Sequence, residues 1–285
     1  MKILITGGSG YLASRLFSYY KGRHDIISLN HRSLDVTNRG KVQEAVDQVR
    51  PDLIIHCAAI SDVEACTRNP EMSWDVNVSS ADYIAEASVK AHSRLVFCSS
   101  DQVYFKSHIR TPHLEEEKVM PPHEYGRQKL RAEELVMGNN PDAVCLRLSM
   151  MYAMDYQGKN EHSNFIGNII TAIREGRPMT YAVHDFRSIT DVWDVVYTME
   201  KAAELPGGVY NFGSENDLST YEVVKAILDF CNAGNLLSKN EALFADEPRN
   251  LVMNIGKIKA HGIELPGTMD RLHRNIQVIK AAVMA

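Results

Sequence analysis

Apolar residues in this chain fall into short unbroken runs, separated by longer stretches in which they recur at helical spacing. Ile3, Leu4 and Ile5 form the first run, closed by Gly7 and Gly8. Further runs lie at 25–29 (DIISL), 52–59 (DLIIHCAA), 94–99 (RLVFCS), 142–148 and 208–212. Each is too short for a helix and reads as a strand buried on both faces. Between them, Leu12, Leu16 and Phe17 share one helical face, and further helices are expected near 41–49, 71–91 and 164–175 and opening at Tyr125. Thr37 or Asn38 suits the N-cap of the second helix. Ser219 and Glu222 have capping-box spacing ahead of Val223, Val224, Ile227 and Leu228. Strands alternating with helices predict an α/β fold with a doubly wound parallel sheet.

The first strand, the glycine turn and the first helix meet at KILITGGSGYLA. Such a junction turns backbone N–H groups of a helix N-terminus toward a pyrophosphate. Gly7 would allow the tight turn, Gly10 the close approach of the diphosphate, and Ala13 close packing of helix on strand. A glycine match alone marks ordinary turns, but this one directly follows a strand and opens a helix. The second run ends in Asn30, His31, Arg32 and Ser33, with no Asp or Glu to accept from a ribose 2′-hydroxyl. Arg32 suits a 2′-phosphate instead, so NADP is expected in preference to NAD.

The 285 residues imply one large or two small domains sharing a core. A formal net charge of −5 argues against a nucleic-acid surface. No apolar run approaches the roughly 18 residues of a membrane span, and the chain opens on a strand without a signal-type leader. The five cysteines are odd in number and include no Cys-x-x-Cys pair. Cys57, Cys98 and Cys145 lie in apolar runs and read as inert core thiols. A cytoplasmic enzyme without membrane or nucleic-acid partners is the expectation. His56 reads as a hydrogen-bonded core histidine. The run Glu115-Glu116-Glu117 with His108, His113 and His123 matches no metal-site spacing, so it reads as a solvated loop and no metal is expected.

The fourth run ends in Ser99-Ser100-Asp101-Gln102, where open α/β sheets bind ligands. Tyr125 follows 25 residues beyond Ser100, and Lys129 lies one helical turn further on the same face. Tyr197/Lys201 and Tyr221/Lys225 have the same spacing, but neither follows a strand-end serine across a loop. A phenol ionises near pH 10, and a neighbouring ammonium would draw that value toward neutrality. Tyr125 is then a candidate general acid toward a ketone or base toward an alcohol. Ser100 would hold the carbonyl oxygen and Lys129 the nicotinamide ribose.

The chain resembles the extended short-chain dehydrogenase/reductases, and within them the dTDP-4-dehydrorhamnose reductases. TGGSGYLA, LDVTN, DLIIHCAAISDVEAC, WDVNV, SSDQVY, EYGRQK, CLRLSMMY, NFIGNII and NLVMNIGKIKAHGIELP carry the resemblance, in the family's order along nearly the whole chain. It implies Ser100, Tyr125 and Lys129 as the catalytic trio and Asp101 beside the sugar ring. Cofactor contacts are implied from Gly7, Gly10, Tyr11, Leu12, Asp35, Val36, Ala58, Ala59, Tyr125 and Lys129. A Rossmann-type domain (1–149 and 186–212) with a smaller substrate lobe (150–185 and 213–285) is implied, as is a small-molecule substrate, with a homodimer as one arrangement. Two stretches depart from the family pattern. Met150 replaces a tryptophan that lies against the deoxysugar, and Arg187 resembles the nucleotide-phosphate arginine of the epimerase branch. The expected activity is NADPH-dependent reduction of a 4-keto nucleotide sugar. The alternatives are a nucleotide-sugar epimerase and a cofactor-binding regulatory subunit resembling the β subunit of methionine adenosyltransferase.

Overall fold

The computed structural model describes residues 1–107, 109, 111–154 and 164–284. His108 lies outside the described residues. The first half runs β1 (Lys2–Thr6), α1 (Tyr11–Tyr20), β2 (Asp25–Leu29), α2 (Arg39–Val49), β3 (Leu53–His56), α3 (Val63–Arg68), α4 (Pro70–Trp74), α5 (Ser80–Lys90), β4 (Arg94–Ser100) and α6 (Glu124–Asn139). The second runs β5 (Val144–Leu148), β6 (Met150–Tyr152), α7 (Phe165–Arg174), β7 (Met179–Ala182), β8 (Asp185–Arg187), β9 (Ile189–Asp191), α8 (Val192–Ala203), β10 (Gly208–Phe212), α9 (Thr220–Phe230), β11 (Leu237–Asn240), β12 (Arg249–Leu251), α10 (Gly256–Ala260) and α11 (Thr268–Met284). Among the described residues no helix is long and apolar enough to cross a membrane.

Six strands make one parallel sheet in the order β2-β1-β3-β4-β5-β10. Alternate side chains feed two apolar layers. Ile3, Ile5, Ile55, Val96 and Leu146 meet Leu16, Val195 and Val196 of α1 and α8. Leu4, Ile54, Leu95 and Cys145 meet Val42, Ile84, Ala132 and Val136 of α2, α5 and α6. Both faces are therefore covered, which is why the strands read as continuous apolar runs. A third cluster joins Ile166 and Ile169 of α7, Val223 and Ile227 of α9, and Leu272 and Ile279 of α11.

The chain passes from β2 on one side of β1 to β3 on the other. That reversal leaves a crevice at the carboxyl ends of β1 and β3, where doubly wound sheets take their ligands. Three parallel two-stranded pairs, β6 with β9, β7 with β11 and β8 with β12, stand apart from the main sheet. β6 begins two residues after β5 ends, so the second half rejoins the sheet at the same end as the crevice.

Several sequence expectations shift in detail. Asn38, not Thr37, caps α2 through a side-chain bond from Lys41 N. The helix expected over 71–91 is interrupted by a π-helical turn, Asp75–Ser79. There Asn77 is drawn into buried bonds with Ile60 and Gln128, which only tertiary contact supplies. The third run stops pairing at His56, freeing 57–59 to line the crevice. The acidic and histidine-rich loop is solvated only in part, Glu116 being exposed. His113 and Glu115 are buried, His113 pairing with Glu117 at 2.7 Å and Glu115 accepting from Asn211 N at 2.8 Å. No group of three or more metal-binding side chains occurs among the described residues.

Candidate active site

Two adjoining cavities open at the carboxyl end of the sheet, of about 530 and 560 Å³, and both are lined by Gly10, Tyr11, Cys57 and Ala59. The first lies over the turn between β1 and α1. Gly7 has φ +68°, and a Cβ there would stand 2.7 Å from Ala58 Cα and N, so only glycine lets the turn close on 58. Gly10 caps α1 without any side-chain bond, and the first turn carries no acidic residue. The amides and dipole of α1 are thus unopposed by any carboxylate of its own first turn, which suits a pyrophosphate. Asp35, Val36, Ala58 and His31 line the same cavity. A hydrogen bond from the Thr37 hydroxyl, joined by Thr37 N, holds the Asp35 carboxyl below its ordinary range. Arg32 lines neither cavity. It is exposed in the turn after β2, where Asn30 Oδ1 accepts from its backbone N.

The second cavity gathers the remaining residues named from the sequence: Leu12, Ser100, Asp101, Tyr125, Lys129, Met150 and Arg187. β4 delivers Ser100 at its last position, and the following 3₁₀ turn Asp101–Tyr104 is capped by Ser100 Oγ, which accepts from Gln102 N at 3.2 Å. α6 is capped by His123 Nδ1, which accepts from Gly126 N at 2.9 Å, and places Tyr125 and Lys129 one turn apart. One turn beyond Lys129, Glu133 takes a buried bond from Arg147 Nη2 of β5 at 2.7 Å, which sets how α6 faces the sheet.

Lys129 Nζ donates to the Cys98 carbonyl at 2.8 Å and lies 4.8 Å from the Phe97 ring and 6.0 Å from the Tyr125 ring centroid. Burial pushes its ammonium below its ordinary value. The Tyr125 phenol departs from the sequence expectation of a lowered value. Burial pushes it well up, Asp101 adds to the rise, and the hydrogen bond with Ser100 opposes both. Asp101 is itself pushed up by burial, and its Oδ2 has no hydrogen-bond partner among the described residues.

Arg249 also lines this cavity and was not singled out from the sequence, although it directly precedes the stretch NLVMNIGKIKAHGIELP, because nothing local shows that it faces Asp185 and Arg187. Its guanidinium meets Asp185 through Nε at 2.6 Å and Nη2 at 2.5 Å. Arg187 Nε lies 3.7 Å from Asp185, and its Nη1 lies 3.2 Å from Met150 Sδ. Burial opposes ionisation of Asp185, but Arg249 and Arg187 hold it below the usual range. The pairing of β8 with β12, Arg249 opposite Asp185, brings the two arginines together across 62 residues of sequence. His56 stays in the core, between Thr6 Oγ1 at 2.7 Å and Ser80 Oγ at 3.1 Å, with burial lowering it to about 3. Tyr197/Lys201 and Tyr221/Lys225 line neither cavity.

A glycine cradle at the switch point of a parallel sheet, continuous with a serine, tyrosine and lysine cavity, defines an extended short-chain dehydrogenase/reductase, a class of NAD(P)-dependent oxidoreductases. The chain belongs to the family whose model is described as RmlD substrate binding domain, which matches residues 1–280. It is 27% identical to the dTDP-4-dehydrorhamnose reductase of Aggregatibacter actinomycetemcomitans, over 97% of this chain and 98% of that one. Among solved structures, a Bacillus anthracis dTDP-4-dehydrorhamnose reductase in complex with NADP matches with a TM-score of 0.85 at 24% identity, covering 96% of this chain and 97% of that one. The Bordetella bronchiseptica enzyme WbmG in complex with NAD matches at 0.82 and 22%, covering 99% and 95%.

Proposed function

We propose that this chain reduces a 4-keto nucleotide sugar with NADPH, in the manner of a dTDP-4-dehydrorhamnose reductase, through Ser100, Tyr125 and Lys129. The carrying observation is that these three side chains line one cavity with Asp101, Arg187 and Arg249, and that it continues into the glycine cradle. The cradle fits a dinucleotide because glycine at position 7 lets the β1–α1 turn close against the backbone of Ala58 and no carboxylate of the first turn of α1 opposes a diphosphate. A bound nicotinamide cofactor would supply the hydride.

The residues supply the rest. Ser100 Oγ can donate to the ketone oxygen and orient it toward Tyr125. The buried phenol, neutral at pH 7, gives its proton to that oxygen as the carbon accepts hydride. Lys129 keeps a positive charge near the phenolate left behind, held in place by the Cys98 carbonyl. The unpartnered Asp101 oxygen can accept from a sugar hydroxyl. Arg187 and Arg249, held by Asp185 and facing Asp101 across the cavity, present two guanidinium groups as a setting for the diphosphate of the nucleotide. Arg32, in the exposed turn beside His31, is the proposed contact for the 2′-phosphate that favours NADPH.

The test follows NADPH oxidation with a panel of 4-keto nucleotide sugars. Turnover is expected with at least one of them, with dTDP-4-dehydrorhamnose itself slow because Met150 offers less flat area than an indole. Tight NADPH binding without turnover of any panel member would overturn the enzymatic reading and favour the regulatory one.

A further inference from the structure

We propose that Cys57 and Cys98 are a redox-sensitive pair, closing to a reversible disulfide when the protein meets hydrogen peroxide. Their Sγ atoms stand 3.6 Å apart. The pair sits one step beyond the last β3–β4 register pair, His56 opposite Phe97. Neighbouring strands run about 4.8 Å apart, inside the Cα separation of about 4.4 to 6.8 Å that a disulfide spans. The sulfurs must approach by about 1.5 Å to reach a bond of about 2.05 Å. Cys57 is only half-buried, whereas Cys98 is buried in the core as its apolar run leads one to expect. Cys57 lines both cavities and Cys98 the catalytic one, so peroxide has a path to them. Cys145, by contrast, is buried in the core between α5, α6 and the sheet.

The surroundings favour Cys98 as the first nucleophile, because the shared hydrogen bond and burial push the Cys57 thiol well up. The Cys57 hydrogen bond and the Lys129 ammonium hold the Cys98 thiol below its ordinary value against burial. The Cys98 thiolate attacks one peroxide oxygen, the O–O bond breaks, and hydroxide leaves to become water by taking a proton. Cys98 is then a sulfenic acid. The Cys57 thiol gives up its proton as its sulfur attacks that sulfur, the S–O bond breaks, and the departing hydroxide takes the proton to form a second water. Two thiols and one peroxide thus give one disulfide and two waters, the sulfurs losing the two electrons that peroxide gains. The new bond draws together the segment bearing Ala58 and Ala59 and the strand end bearing Ser99 and Ser100. The oxidised protein should therefore bind dinucleotide about tenfold more weakly or worse, and recover with a thiol reductant.

The test treats the intact protein with hydrogen peroxide, alkylates remaining thiols, and maps the peptides by mass. The expected product is an intact mass lower by about 2 Da, two of the five cysteines protected, and one linked peptide pair containing Cys57 and Cys98. NADPH titration before oxidation, after it and after dithiothreitol reads the binding change. Cys57→Ser and Cys98→Ser should each abolish the linked peptide, and the wild-type map decides the matter if either fails to fold. Five alkylatable thiols after treatment, a link to any other cysteine or between chains, or stable added oxygen on either residue without a link would each overturn the proposal. So would a linked product that binds NADPH as tightly as the reduced protein.

Discussion

Burial keeps the Tyr125 phenol protonated through the neutral range, the form a proton donor needs. Tyr125→Phe removes the proton and the Ser100 bond but leaves the ring, so NADPH affinity should stay within about threefold while turnover falls about 10²- to 10⁴-fold. Paired cofactor titrations and initial rates check this, and a change confined to KM would assign Tyr125 to binding alone. Because its folded value lies above the ordinary phenol value, wild-type turnover should not fall from loss of this proton below about pH 10. A pH–rate profile with a basic limb near neutrality assigned to Tyr125 by the Phe variant would contradict that. Arg249 carries a different expectation. Arg249→Ala should raise KM for the nucleotide sugar about 10- to 100-fold, the range of a charged hydrogen bond, and Arg249→Lys should rescue little because the fork geometry is lost. An unchanged KM would leave Arg249 as the structural partner of Asp185 only.

At the scale of elements, the π-helical turn between α4 and α5 ties the crevice to the helix that carries Tyr125. Asn77 Oδ1 accepts from Ile60 N at 2.8 Å, and its Nδ2 donates to Ile60 O at 3.0 Å and Gln128 Oε1 at 2.8 Å. Asn77→Ala strands a backbone N–H and two acceptors in a buried setting. It should cost about 2–3 kcal/mol, measured by urea unfolding at constant m-value. A loss below about 0.5 kcal/mol would mean water replaces the amide without penalty. The WDVNV stretch showed its helical period plainly. The extra residue in the turn did not show, because Asn77 is displaced by contacts with residues 17 and 51 positions away.

For the whole molecule, the two continuous cavities make the native state the only one that can grip a dinucleotide along its length. Saturating cofactor should therefore stabilise the fold by about 2.7 kcal/mol at a hundred times Kd. Thermal unfolding with equal concentrations of NADPH and NADH should show the larger rise in Tm for NADPH, and Arg32→Ala should remove most of the difference. Equal shifts in the wild type would locate no 2′-phosphate contact at Arg32. The exposed position of that side chain, outside both cavities, makes this the most exacting of the cofactor tests.

Local pattern determined much of this protein. Strands buried on both faces need unbroken apolar runs, the β1–α1 turn needs glycine at φ +68°, and a helix presents Tyr125 and Lys129 on one face at four-residue spacing. Each is a property of a few adjacent residues, so each was legible without the fold. Tertiary structure decided what depends on distant partners. The β8–β12 register set Arg249 against Asp185, and adjacent strand ends brought the Cys57 and Cys98 sulfurs to 3.6 Å. Burial reversed the expected direction for Tyr125, because desolvation outweighs the hydrogen bond with Ser100, while the Lys129 ammonium is engaged by the Cys98 carbonyl. It likewise took His113 and Glu115 out of solvent, since a loop rich in charge can be covered when the rest of the chain supplies matching donors and acceptors.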